Sequence, residues 1–192
     1  GPDVAFDNTH APRSYVAPGF LADKDDVEIY GEVYKAKGGQ TFLSEGDTIY
    51  LNLDDPDAFD CGDVVSVFRR VKKKVRHPNS RRTKYGSMYK VVAEAKVVHR
   101  YEDTVTAVIR QSWQELQRGD LVGPATPVAV EVEVGPPRGD LEATVVSRIN
   151  VEDFMMGPGE TIFLDRGRAD GVRVGNTFYI TAQQDEYSDR GK

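Results

Sequence analysis

The densest run of reactive side chains lies between Arg69 and Lys84. Arg69, Arg70, Lys72, Lys73, Lys74, Arg76, Arg81, Arg82 and Lys84 make nine of these 16 residues basic, and none of the 16 is acidic. The whole chain carries 25 Lys and Arg against 31 Asp and Glu, a formal charge of −6. Without the segment the balance is 16 against 31, or −15. The segment is therefore a positive patch on a negative body. Such a patch attracts anionic lipid, anionic glycan, nucleic acid or an acidic protein surface. Its first aromatic residue is the adjoining Tyr85, which leaves little for base stacking, and the overall negative charge argues against nucleic acid as a partner. Trp113, Tyr85 and Tyr89 are the candidates for stacking on sugar rings beside the patch, although Trp113 also reads as the anchor of a middle core. The plainest alternative for the basic segment is a long solvated hairpin loop between Phe68 and Met88.

Other chemistry is sparse. Asp54, Asp55, Asp57, Asp60 and Asp63 gather hard oxygen ligands of the kind calcium takes. They lack the glycine and the terminal glutamate of an EF-hand loop, so they read as an acidic turn or as a pairing surface for the basic segment. The single cysteine, Cys61, excludes an intrachain disulfide, and His10, His77 and His99 form no cluster with it. Ser112 and Ser147 lack a nucleophile-elbow setting, and Gly157-Pro158-Gly159 reads as a turn because proline removes a donor that a phosphate loop needs. No metal, cofactor or catalytic set is expected, and the reading is of a non-enzyme.

Presenting such a patch requires a scaffold, and the scaffold reads as all-β: small barrel or sandwich-like domains with at most one or two short helices. Val27, Ile29, Gly31 and Val33 alternate with Glu28, Tyr30, Glu32 and Tyr34 at period two. Asp47 to Asn52, Val64 to Phe68, Tyr89 to His99, Thr104 to Ile109, Ala125 to Val134, Leu141 to Ile149, Thr161 to Leu164 and Thr177 to Thr181 also read as strands, rich in β-branched residues. Gly38-Gly39 reads as a turn. Gln111 to Arg118 lacks Pro and Gly and predicts about two helical turns, or else a turn-rich connection. Residues 1–26 read as a plain linker, or as a flexible or extended lead-in that docks through Tyr15, Val16, Phe20 and Leu21. The expected division is 1–26 lead-in, 27–134 β-domain, 135–182 C-terminal β-repeat and 183–192 tail. No window approaches a membrane-spanning helix. No leader-like segment opens the chain, and Gly1-Pro2 reads as a cleavage scar.

Two segments repeat. Gly46-Asp47-Thr48-Ile49-Tyr50-Leu51 leads to Gly62-Asp63 and a closing strand. Gly159-Glu160-Thr161-Ile162-Phe163-Leu164 leads to Gly175-Asn176 and another. The two glycines stand 16 residues apart in both copies. A Gly-Asp or Gly-Asn pair before a strand supplies a tight turn whose side chain braces backbone donors. Gly119-Asp120 is a further such step.

The stretch from Phe163 to Phe178, with Leu164-Asp165-Arg166-Gly167, Asp170-Gly171 and Gly175-Asn176, resembles the C-terminal domain of the flagellar assembly protein T. It is also similar to the C-terminal region of LysM-containing proteins associated with type IV pilus secretins. Tyr50-Leu51, Gly62-Asp63, His77-Pro78, Gly86 and the run from Glu115 to Gly119-Asp120 extend the second likeness. The resemblance covers residues 27–182 and is dense only over 159–180. It implies a periplasmic module of the bacterial envelope that binds a pilus secretin or ring complex, coupled to an upstream peptidoglycan-binding module. No LysM module is visible. Gly167, Asp170, Gly171 and Gly175 are then fold-forming turn residues. The alternative function is binding of an anionic glycan or cell-wall polymer.

Overall fold

The computed structural model describes residues 13–16, 18–37, 43–101, 104–135, 141–150 and 157–181. The Gly38-Gly39 turn and the 183–192 tail lie outside them. Thirteen strands follow in order: β1 (Arg13–Val16), β2 (Gly19–Ala22), β3 (Gly31–Ala36), β4 (Thr48–Leu53), β5 (Val64–Lys72), β6 (Arg76–His77), β7 (Ser80–Lys84), β8 (Ser87–Arg100), β9 (Val105–Ser112), β10 (Leu121–Pro124), β11 (Ala129–Val132), β12 (Val145–Arg148) and β13 (Ile162–Leu164). Three single-turn 3-10 segments, Lys24–Asp26, Pro56–Ala58 and Arg168–Asp170, accompany them.

Six strands, in the order β8-β5-β10-β3-β4-β9 with β9 returning to β8, close an antiparallel barrel. Alternation builds its interior. On β4, Ile49, Leu51 and Leu53 turn inward, while Thr48, Tyr50 and Asn52 turn outward. Small residues, Ala93, Ala95 and Ala107, share the inside with Val33, Val65, Val67, Val97 and Ile109. That mixture of sizes lets side chains fill a narrow barrel without a void.

The fourteen-residue β8 does two jobs. Its C-terminal half alternates, with Ala95 and Val97 buried and Lys96 and Val98 exposed, as a strand wet on one side must. Its N-terminal half, Ser87 to Val92, is buried on both faces. There β2 pairs with it, from Gly19 opposite Lys90 to Ala22 opposite Ser87. Phe20 stacks on Tyr89 with centroids 5.3 Å apart, and both meet Phe68 edge-on. This cluster, with Val91 and Val128, is a second core outside the barrel. A third core joins Val75 and Met88 to Val146 and Ile149, with Leu21, Val71, Tyr85 and Phe163 against it.

Several expectations change. The lead-in expected over 1–26 carries β1 and β2; β1 pairs with β11 in a two-stranded ribbon. Gln111 to Arg118 follows the second of its two readings, a turn-rich connection rather than a helix. β9 runs through Ser112, and the chain then turns, with the amides of Trp113 and Gln114 both donating to Val92 O. Trp113 enters the second core and Leu116 the barrel interior. One helical face cannot deliver residues three apart to two different cores. Thr177 to Thr181 forms no strand. Within the expected C-terminal repeat, Val146, Ile149 and Phe163 pack on Val75 and Met88 of the preceding region.

Candidate functional site

The basic segment is a hairpin, exposed along much of its length but seated at its base. β5 extends to Lys72, still paired with β8 as far as Met88, and β6 and β7 form a short hairpin beyond it. The hairpin is tied down at its base. Val75 N donates to Gly86 O, Tyr85 N to Val75 O, and Ser87 Oγ to Lys73 O at 2.9 Å. Val71 and Val75 supply apolar anchors between the charges, and Val75 is fully buried. The interleaving of valine with lysine and arginine is the sequence signal for this: one face seats, the other stays in water.

The nine cations do not act alike. Arg69 is spent within the protein. Its Nε and Nη2 grip both oxygens of Asp120 at 2.6 and 2.8 Å, and Nη2 also donates to Glu115 O. The fork hydrogen bonds to the nearly buried Asp120 push the Arg69 pKa further above its ordinary value, against the effect of burial. Arg69 is therefore a bolt between β5 and the turn before β10. Arg70, Lys72, Lys73, Lys74, Arg76, Arg82 and Lys84 have exposed side chains with no ion-pair partner among the described residues. The Arg81 side chain lies outside the described residues. Within the hairpin Arg76 stands directly opposite Lys84, a like-charge cross-strand pair that costs stability.

The stacking candidates do not form one platform. Tyr89 is fully buried in the aromatic cluster and cannot meet a sugar at the surface. Trp113 is half-buried against the same cluster. Tyr85 is half-buried in the third core, its ring 6.5 Å from that of His77. A cationic–aromatic patch appears elsewhere, on the outer face of β3 and β4. Lys35 Nζ lies 5.6 Å from the Tyr34 ring and 5.3 Å from the Tyr50 ring, and Arg118 covers Tyr34 at 5.0 Å. The alternation of Tyr34 and Tyr50 with core residues was the available signal for it.

The acidic turn pairs with β8 rather than with the basic segment. Asp57 and Asp60 hold the Arg100 guanidinium, whose Nη1 also donates to Phe59 O. Asp55 caps Asp57 N, and Asp63 accepts from Asp60 N at 2.8 Å.

The turn residues of the second copy brace backbone. Asp170 Oδ2 accepts from Gly167 N at 2.9 Å, and Gly171 N donates to Arg168 O. Gly175 has φ of 94°, and Asn176 Oδ1 accepts from Arg173 N at 2.8 Å. The first copy repeats this geometry, with Gly62 at φ 106° and Asp63 in the role of Asn176.

Asp165 fastens the hairpin to the C-terminal segment. Its Oδ1 accepts from Thr144 N at 2.7 Å, and its Oδ2 lies 3.3 Å from His77 Nε2. The Thr144 amide holds the carboxyl below its ordinary range; burial opposes this, and Arg166 and His77 add to it. His77 Nδ1 accepts from Asn79 N, so the proton facing Asp165 sits on Nε2.

Beside the hairpin, Lys72 and the β12 residues Val145, Val146, Ser147 and Arg148 line an open groove of about 260 Å³. Arg148 and Ser147 were not marked by any motif; only the fold brings them to Lys72.

No protein-family model matches this chain, and no curated protein or solved structure matches it significantly. No helix among the described residues is long and apolar enough to cross a membrane.

Proposed function

We propose that this chain is a non-catalytic binding and assembly module whose basic hairpin docks an acidic surface of a partner protein. One observation carries the reading. The hairpin sets Arg76 opposite Lys84, and Lys72, Lys73, Lys74 and Arg82 beside them have no ion-pair partner among the described residues, on a protein with acidic groups in excess. Such an arrangement destabilises the free protein and is relieved by an external anion. The anchoring of Val71 and Val75 gives the patch a fixed shape, which lowers the entropy cost of docking. The resemblance of residues 163–178 to envelope proteins suggests the partner class: a pilus secretin or ring-complex protein in the periplasm, with a peptidoglycan-binding module upstream.

The test is a salt-titrated pull-down of the chain against solubilised envelope complexes, with cell-wall sacculi as a parallel bait. A variant carrying Lys72→Glu, Lys73→Glu and Lys74→Glu runs beside it. Capture of an identified secretin or ring protein, weakened by salt and lost in the variant, supports the module. Binding to sacculi alone overturns it in favour of an anionic cell-wall polymer as ligand.

A further inference from the structure

The groove between Lys72 and β12 combines three features. Two cations, Lys72 at the end of β5 and Arg148 at the end of β12, line it, and neither has an ion-pair partner among the described residues. It is also lined by Ser147, which is nine-tenths buried and whose Oγ finds no hydrogen-bond partner among the described residues. Its wall is irregular. Val145 pairs with Leu164 and Ser147 with Phe163, so the register slips at Val146. Regular alternation would send Val146 and Ser147 to opposite faces, yet both are buried. A bulge of this kind re-aims side chains and recurs beside functional sites. A buried hydroxyl left unpaired is costly, and two uncompensated cations beside it favour an incoming anion.

We propose that this groove is an oxyanion pocket that seats one carboxylate of the acidic partner. The proposal rests on the docking role of the basic hairpin and names where that docking is anchored. The Arg148 guanidinium supplies a planar fork of N–H donors, which matches a carboxylate edge. Lys72 adds a point charge from the other side. Ser147 turns about χ1, out of its buried rotamer, and donates its hydroxyl to the same group. The surrounding cations of the hairpin then steer the partner, while the groove sets its register.

The probe is a capped hexaglutamate peptide, titrated into the isotopically labelled chain and followed by amide chemical shifts, with hexaglutamine as control and inorganic sulfate as a second arm. The expected result is movement centred on Val145 to Arg148 and Lys72. Arg148→Gln should weaken the peptide about threefold to tenfold, and Arg82→Gln less than about twofold, because a fork contact outweighs a distant exposed charge. Ser147→Ala gives the discriminating sign. It removes an unpaired buried hydroxyl, so the melting temperature should hold or rise while peptide affinity falls. A site that serves only packing would leave affinity unchanged, which overturns the proposal. Peptide shifts confined to residues 76–84 overturn the groove and leave the docking role standing. Saturation by sulfate with no preference for the peptide overturns the carboxylate assignment. No shifts with either anion overturn both readings.

Discussion

The two copies of the internal repeat begin alike and end differently. In the first, β4 and β5 enter the barrel; Ile49 and Leu51 are fully buried, and the closing strand pairs on both sides. In the second, Ile162, Phe163 and Leu164 are all half-exposed, and residues 177–181 join no ladder. Yet the turns match. Gly62 and Gly175 both lie in the left-handed region, and Asp63 and Asn176 each cap the amide three residues back. The turn is a local object, fixed by a permissive glycine and a short polar side chain. The strand is not local. It needs neighbours to satisfy its backbone and cover its face, and among the described residues only the first copy has them on both edges.

The largest test of this contrast compares equivalent leucines. Leu51→Ala should cost about 2–5 kcal/mol, as large-to-small changes in a closed core do. Leu164→Ala, at the matching repeat position, should cost about 1 kcal/mol. Urea unfolding midpoints read both; equal losses would show that the second copy is as tightly built as the first. Next in size is Asp120→Asn, which strands Arg69 between β5 and the turn before β10. The expected loss is about 2–3 kcal/mol, less than for a fully buried pair because Arg69 keeps some solvent. A double-mutant cycle with Arg69→Met should recover part of it, and failure to do so would mean the pair is not the bolt between those elements.

A smaller effect separates the two turns themselves. Ala at either Gly62 or Gly175 meets the left-handed penalty of about 1–2 kcal/mol. At Gly62 the added Cβ meets open space, whereas at Gly175 it would come 2.4 Å from Glu133 O. Gly175→Ala should therefore also loosen the Gly135 N–H bond to Gly175 O. Faster hydrogen exchange at Gly135 in that variant alone would sharpen the comparison; equal exchange in both would break it. The smallest effect is with pH. The folded-state pKa of Asp165 is depressed, so its contribution is present above the unfolded carboxylate range and lost as pH falls below about 4. Asp165→Asn should flatten that acid limb, read from the Thr144 amide signal.

Much of the scaffold was legible because its signals are short-range. The β-branched and aromatic run from Asp47 to Asn52 marked the strand that became β4, and the Gly-Asp steps marked turns at Gly46, Gly62 and Gly119, all of which have positive φ. What was not legible depends on tertiary partners. Gln111 to Arg118 has helical composition, but Trp113 and Leu116 are claimed by different cores. Thr177 to Thr181 has strand composition but joins no ladder among the described residues. At the candidate site, the charge run was plain from its residues, yet Arg69 looks like its neighbours until Asp120 arrives from 51 residues away. Tyr89 likewise reads as an exposed aromatic until β2 covers it, and Arg148 meets Lys72 only through the third core.

The pairing of β10 with both β3 and β5 has a consequence for synthesis. Leu121 sits opposite Glu32 on one side and Phe68 on the other. Until that short strand leaves the ribosome, β3 and β5 are two bare edges of an open sheet, and the earlier strands can pair but cannot close. Assembly is therefore gated by one of the last barrel segments to appear, through contacts distant in sequence, which slows folding. During that interval the nascent chain holds unpaired edges of the kind that join to other chains. The row of like charges at the far end of β5 then does useful work before any partner arrives, because it keeps two such intermediates apart.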